Sequence, residues 1–347
     1  MPRPFFRTVL LAVITASVGA LLVVGQNAKP TAARMAESAD KLLGTLTADQ
    51  KKKAVFAFDD KHRTTWYFTP QQDKEKKSTR KGLPLEAMTA DQKAAVLEML
   101  KTGLSARGYE QATTIMSLES LLLELEGKNG AMVRNPNWYF VSVFGEPSNT
   151  GKWGWRVEGH HLSINFTLDK GRVVSATPVL FGTNPAVIMQ GDKKGQRTLP
   201  EIEDVAKELI ATLTEDQVKA AKQDKQLPEI KEGQPNAATG KTIGLSAEQL
   251  TAPQAKILAR LVEAYATRLP GDIAADEMKR YTEAGAGKVF FAYCVEADKP
   301  GKPYTYRVHG PTFVIEFLNI QADAAKNPAN HIHSTWRSLP NDFGLAE

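Results

Sequence analysis

From Val9 to Val24 the chain runs without a charged residue, and Arg3 and Arg7 precede that run. A basic flank followed by an apolar stretch and a small residue for cleavage, at Gly25 or Ala28, is the pattern of an export signal. The run also approaches the ~17–25 residues that a spanning helix needs. Residues 1–28 are thus expected to be a signal peptide or an N-terminal anchor. After them the pattern becomes periodic. Apolar positions recur at helical spacing over Ala32–Leu46, Thr89–Thr102 and Ser105–Glu126, the last with Ile115, Leu118, Leu121, Leu122 and Leu125 on one stripe. The same period returns over Glu201–Ala211, Thr214–Lys222, Pro253–Leu269 and Asp272–Ala284.

Between these helices the period drops to two. Phe56–Phe68 reads as a short extended segment. Trp138–Phe144, Lys152–Val157, His161–Leu168 and Arg172–Pro178 read as strands, as do Val289–Glu296, Tyr304–His309 and Thr312–Asn319. Their separators are short Gly, Asn and Pro turns, and a parallel connection needs a crossover of about a dozen residues, so the strands are expected to form an antiparallel meander. The expected architecture is α+β, an antiparallel sheet with helices packed on one face, in a single domain over 29–347 with a hinge at the Pro/Gly/Asn-bearing loop 225–244.

A signature recurs at the helix starts. Thr47-Ala-Asp-Gln50, Thr89-Ala-Asp-Gln92, Thr214-Glu-Asp-Gln217 and Ser246-Ala-Glu-Gln249 each follow Leu or Met and match a capping box with a hydrophobic staple. No wider period connects them, so they mark four helix starts and not a solenoid.

Composition adds little to fold and more to partners. The formal charge of +5 falls by two to +3 if Arg3 and Arg7 leave with the leader, and the lysines are scattered among acids, which argues against nucleic acid. Membrane contact is expected only through an N-terminal anchor, and the mature protein is expected to be periplasmic or extracellular; the oligomeric state is left open. Cys294, the only cysteine, has no intrachain disulfide partner and sits in the apolar run VFFAYCVE, where a buried thiol is expected.

The chemistry concentrates in the histidines. His160 and His161 stand beside Glu158, and His331 and His333 stand in the C-terminal HIHSTWRSLPNDFG. Along a continuous strand Glu158 and His160 share one face while His161, Ser163 and Asn165 share the other, and His331 and His333 share a face if their segment is extended. Glu158, His160, His331 and His333 then form one borderline-metal site for zinc, iron or copper. Leu162, Ile164 and Phe166 share the parity of His160, which turns that ring toward the core; a bulge at Gly159 resets the parity and makes His161 the ligand. The competing reading is a set of structural rings bonded to carbonyls and carboxylates. Arg156 and Arg337 are candidate anion holders or partners of Glu158 and Asp342. Asn165, Trp155 and Trp336 are candidate substrate contacts, with Trp153 as a further cleft wall, although core packing is the commoner role for each indole. There is no HExxH, no GxSxG and no phosphate-cradling glycine loop.

Phe58-Asp59-Asp60 with Arg63 and Trp66, Phe144-Gly-Glu-Pro147, WGWRVEGHHLSINF, TPVLFGTNPA and HIHSTWRSLPNDFG together resemble the bacterial and fungal family known as domain of unknown function 3500. The likeness covers nearly everything after the leader and implies an exported protein, but no activity. The residues themselves point to an exported metal-dependent enzyme, a hydrolase of a small polar or anionic substrate, with Glu158 as ligand or general base. An oxidative metalloenzyme uses the same ligands, and a non-catalytic module with an aromatic cleft is the alternative of another class.

Overall fold

The computed structural model describes residues 29–127, 130–295 and 301–346, so the apolar leader lies outside the described residues. Twelve strands form one sheet: β1 (Val55–Phe56), β2 (Leu83–Pro84), β3 (Phe140–Phe144), β4 (Trp153–Gly159), β5 (Leu162–Asp169), β6 (Arg172–Ser175), β7 (Val179–Thr183), β8 (Leu245–Ser246), β9 (Phe290–Val295), β10 (Tyr304–His309), β11 (Phe313–Asn319) and β12 (Ile332–Ser338). Their order is β1-β3-β4-β5-β7-β12-β11-β10-β9-β8, with β2 added on β3 and β6 on β5. Every strand pair is antiparallel except β1 with β3. Eight helices complete the described fold: α1 (Thr31–Thr45), α2 (Ala48–Ala54), α3 (Ala90–Gly103), α4 (Ala106–Glu126), α5 (Pro200–Ala211), α6 (Glu215–Ala221), α7 (Ala252–Ala266) and α8 (Gly271–Glu283). The architecture is the expected α+β.

The main core lies between the helices and one face of the sheet. Met35, Leu42, Val96, Met99, Leu258 and Leu261 from the helices meet Trp153, Trp155, Ile164, Phe166, Ile315 and Trp336 from alternate strand positions. The opposite face is covered by loops. Trp66, Phe68, Leu180, Ile230, Leu318 and Phe343 make a smaller core there. The loop 225–244 is held down by Glu232, whose carboxylate accepts from the N–H of Phe68 at 2.8 Å, the N–H of Thr69 at 3.1 Å and Thr69 Oγ1 at 2.6 Å.

The capping boxes have an order that their spacing did not reveal. Thr47 and Thr89 cap α2 and α3, and their Gln50 and Gln92 partners interlock: Gln50 Nε2 donates to Gln92 Oε1 at 2.9 Å, and Gln92 Nε2 to Thr45 O at 2.7 Å. In the second half Gln217 Nε2 donates to Gln254 Oε1 at 2.9 Å, and Gln254 Nε2 to Thr212 O at 2.7 Å. The second member of that pair is the box of Thr251, which starts α7; Ser246 heads only the single 3-10 turn Ala247–Gln249. An interlocked pair of caps thus occurs once before and once after β7, the strand that pairs with β12 at the middle of the sheet.

Three strand expectations are corrected. Of Phe56–Phe68 only Phe56 joins the ladder, in β1; Asp60 Oδ1 accepts from His62 N–H at 2.7 Å and starts a 3-10 turn over Lys61–Thr64, so a local side-chain bond takes the backbone away from the sheet. The strand at Arg172 ends at Ser175, and a separate strand, β7, follows. The His-bearing tail is itself a fully paired central strand, β12.

Candidate metal centre

β4 ends at Gly159, where only glycine fits: a Cβ would lie 2.4 Å from Tyr139 Cδ1. His160 and His161 are then the two turn residues that join β4 to β5, and His161 takes the left-handed backbone with φ of 60°. The turn sends the two rings to different partners. His160 Nδ1 meets the Glu119 carboxylate and lies 3.1 Å from Arg134 Nη1, while Arg134 also forks onto Glu126 with two bonds of 2.9 Å. His161 leans over the end of the sheet, anchored by its N–H on Phe68 O at 2.8 Å and its carbonyl on Gly182 N–H at 2.7 Å. The two rings stack with centroids 3.8 Å apart.

From just before β12 and from its second residue, His331 and His333 converge on the same point. Nε2 of His331 is 2.7 Å from Nε2 of His161; Nε2 of His333 is 3.3 Å from that atom and 3.1 Å from Nε2 of His331. Three imidazoles bound to a tetrahedral ion at ~2.0–2.1 Å would hold their nitrogens ~3.3 Å apart, so the arrangement is close to a ligand set. His333 Nδ1 is held from behind by Glu229 Oε1 at 3.0 Å, which turns its Nε2 toward the other two rings. The three Nε2 atoms thus converge on one point.

Protons are a poor cation for that place. Burial, and then the neighbouring imidazoles, hold His161 well below the ordinary histidine range and push His331 down to about 2. Burial also lowers His160, against the opposing pull of Glu119. Glu229 stays below the usual carboxylate range: burial raises it, but the bonds from His333, Ile230 N–H and Gln321 outweigh that. His161, His331 and His333 are thus a possible divalent-metal site of imidazole type, suited to zinc, iron or copper.

The other sequence candidates lie elsewhere. Glu158 is buried and engaged by Arg80 Nη1 at 2.6 Å and Tyr67 N–H at 2.7 Å, with Ser163 Oγ at 3.3 Å. Arg156 donates to Asn165 Oδ1 at 2.6 Å and to the carbonyls of Arg63 and Thr65, and Asn165 donates in turn to Pro178 O at 2.8 Å. Arg337 is bound to Asp342 at 2.6 Å and to the carbonyls of Gln234 and Pro235. These groups fasten the long loops and the C-terminus to the sheet. Trp155 stacks on Phe166 at 4.8 Å, and Trp336 packs on Phe313 at 5.6 Å, both inside the helix-facing core with Trp153. Sequence reasoning passed over Glu229, Glu119 and Gly182. Glu229 and Glu119 stand in a loop and a helix with no motif spacing to the histidines. Gly182 carried a faint signal as a glycine inside a strand, the sign of a close backbone approach.

Residues 28–345 match the family model described as protein of unknown function (DUF3500), and the chain belongs to that family. No curated protein and no solved structure matches it.

Proposed function

Taking the chain as a member of this family, we propose that it is an exported metal-dependent hydrolase of a small polar or anionic substrate, with His161, His331 and His333 as its ligands. The observation that carries this reading is the convergence of three Nε2 atoms within 3.3 Å, with the Glu229 carboxylate behind His333. His161, His331 and His333 would hold the ion, which would supply Lewis acidity to activate water and polarise an oxygen of the substrate. Glu229 fixes the tautomer of His333, and the His160 ring, locked by Glu119, backs His161. Glu158, Arg156 and Arg337 receive no part in the chemistry, since their polar atoms are committed within the chain.

The test is elemental mass spectrometry of the purified protein beside a His331/His333 double alanine variant, with circular dichroism to check folding. Near-stoichiometric metal, lost in a folded variant, supports the reading; a wild type that stays metal-free after incubation with zinc, iron and copper salts overturns it. Zinc leads to hydrolase screening, whereas copper or iron that cycles with dioxygen replaces hydrolysis by the oxidative reading. Export is checked by N-terminal sequencing of protein from the culture medium and periplasm.

A further inference from the structure

A basic groove with aromatic walls runs along the edge of the sheet where β1 and β2 flank β3. Lys52 and Lys53 come from α2, Lys76, Lys77 and Lys81 from the loop that leads to β2, and Trp138 from the segment before β3. The cavity has a volume of about 650 Å³, and Glu86 is the one carboxylate on its wall among the described residues. A second cavity of about 350 Å³ shares Arg80 and Lys81 with it and adds Lys61, which prolongs the positive surface.

The lysines are largely unspent. Lys52 pairs with Asp49 at 2.9 Å, an exposed pair of little worth, and Lys76 donates to Gly130 O. Among the described residues Lys53, Lys77 and Lys81 meet no carboxylate at ion-pair distance. Like charges gathered round a concavity raise the local concentration of anions and destabilise one another until an anion arrives. Arg80, the one guanidinium here, is committed to Glu158, Tyr67 O and Thr69 O, so the groove offers point charges and no free fork for bidentate phosphate binding. Its walls also carry half-buried Phe56 and Trp138, whose ring faces suit the C–H faces of sugars. Phe140 on the floor is buried.

We propose that this groove binds a segment of an acidic polysaccharide, its carboxylates on Lys53, Lys77 and Lys81 and its rings on Trp138. This is a binding site separate from the histidine cluster and does not depend on metal there.

Calorimetry with polygalacturonate at low salt, in the presence of a chelator, tests it, with dextran as the neutral polymer and oligothymidylate as the nucleic-acid control. Wild type is expected to bind polygalacturonate with an affinity that falls steeply with salt, and to ignore dextran. A Lys53→Ser/Lys77→Ser/Lys81→Ser variant is expected to bind at least tenfold more weakly at unchanged circular dichroism, and Trp138→Ala severalfold more weakly at the same salt slope. Absence of polygalacturonate binding, or undiminished binding by the triple variant, overturns the proposal. Oligothymidylate binding as tight as polygalacturonate, with no effect of Trp138→Ala, overturns the ligand class and leaves a nonspecific cation exchanger.

Discussion

Gly182 lies directly across from His333 in the β7–β12 ladder, and the His161 ring fills the space that its missing side chain leaves. A Cβ built there stands 2.8 Å from the carbonyl oxygen of Ile332 and 3.2 Å from both Cβ and Cδ2 of His161. Ordinary contacts begin near 3.4 Å, so Gly182→Ala must push the backbone of β12 or the His161 ring by several tenths of an ångström. Metal sites tolerate ligand displacements of only ~0.2 Å, and overpacking of this kind costs ~1–3 kcal/mol. If ~1.4 kcal/mol of that falls on the ligand geometry, affinity drops by roughly tenfold. The assay is competition for zinc with a chromogenic chelator, run beside a thermal melt. The variant is expected to remain folded, to melt a few degrees lower and to bind zinc about tenfold more weakly. Gly271→Ala is the control: no heavy atom lies within 4 Å of its added Cβ at the start of α8, and both readouts should be unchanged. Wild-type zinc affinity in a folded Gly182→Ala protein would refute the assignment of His161 as a ligand packed against β7.

Glu229→Gln removes the charge behind His333, and zinc affinity in the same competition should fall by roughly tenfold, the low end of the ~10–100-fold seen for such outer partners because this carboxylate is 40% exposed; an unchanged affinity would mean that Glu229 does not set the tautomer. Arg80→Met strands the Glu158 carboxylate, whose side chain is 2% exposed, and should cost ~3–5 kcal/mol in urea unfolding, partly recovered by adding Glu158→Gln; a loss under ~1 kcal/mol would contradict the buried-pair account. His62 lies 3.1 Å from Ser142 Oγ, and burial, followed by the Arg156 charge, lowers it from 6.5 to about 4. The native state thus binds fewer protons than the unfolded chain between those values. The stability tied to the neutral ring is complete above pH 6.5, declines toward pH 4 and is gone below it, on the order of 2 kcal/mol after solvent screening. Urea melts of His62→Gln at pH 7 and 4.5 should therefore differ less than those of wild type, and an equal difference would place the acid sensitivity elsewhere.

The helices were legible because each carries its own start signal and apolar stripe: Thr47, Thr89 and Thr214 cap where the sequence pattern placed them, and α4 runs over Ala106–Glu126 as its leucine spacing predicts. The strand order was not legible. β12 closes the sheet against β7, whereas the pattern left Ile332–Ser338 as a tail whose extended form was only conditional. The pairing of caps was hidden for a similar reason, since the partners Gln217 and Gln254 meet through side chains and not through a fixed spacing.

The candidate site divides in the same way. That the histidines were the chemistry to watch followed from residue type alone, because imidazoles are ligands wherever their lone pairs converge. Which of the neighbours His160 and His161 joins His331 and His333 depended on whether the chain stays extended after Gly159 or turns, and it turns, with His161 in the left-handed region. Glu158, adjacent in sequence, was drawn away by Arg80, and Glu229, on a distant loop, took the place behind His333. The basic groove likewise unites lysines that are scattered among acids along the chain. By itself the sequence determined the helices, the sheet class and the candidate metal-ligating residue type, all of which depend on local period and side-chain type. Only the tertiary structure decided which distant groups meet, because that depends on strand pairing and on loop closure over the sheet.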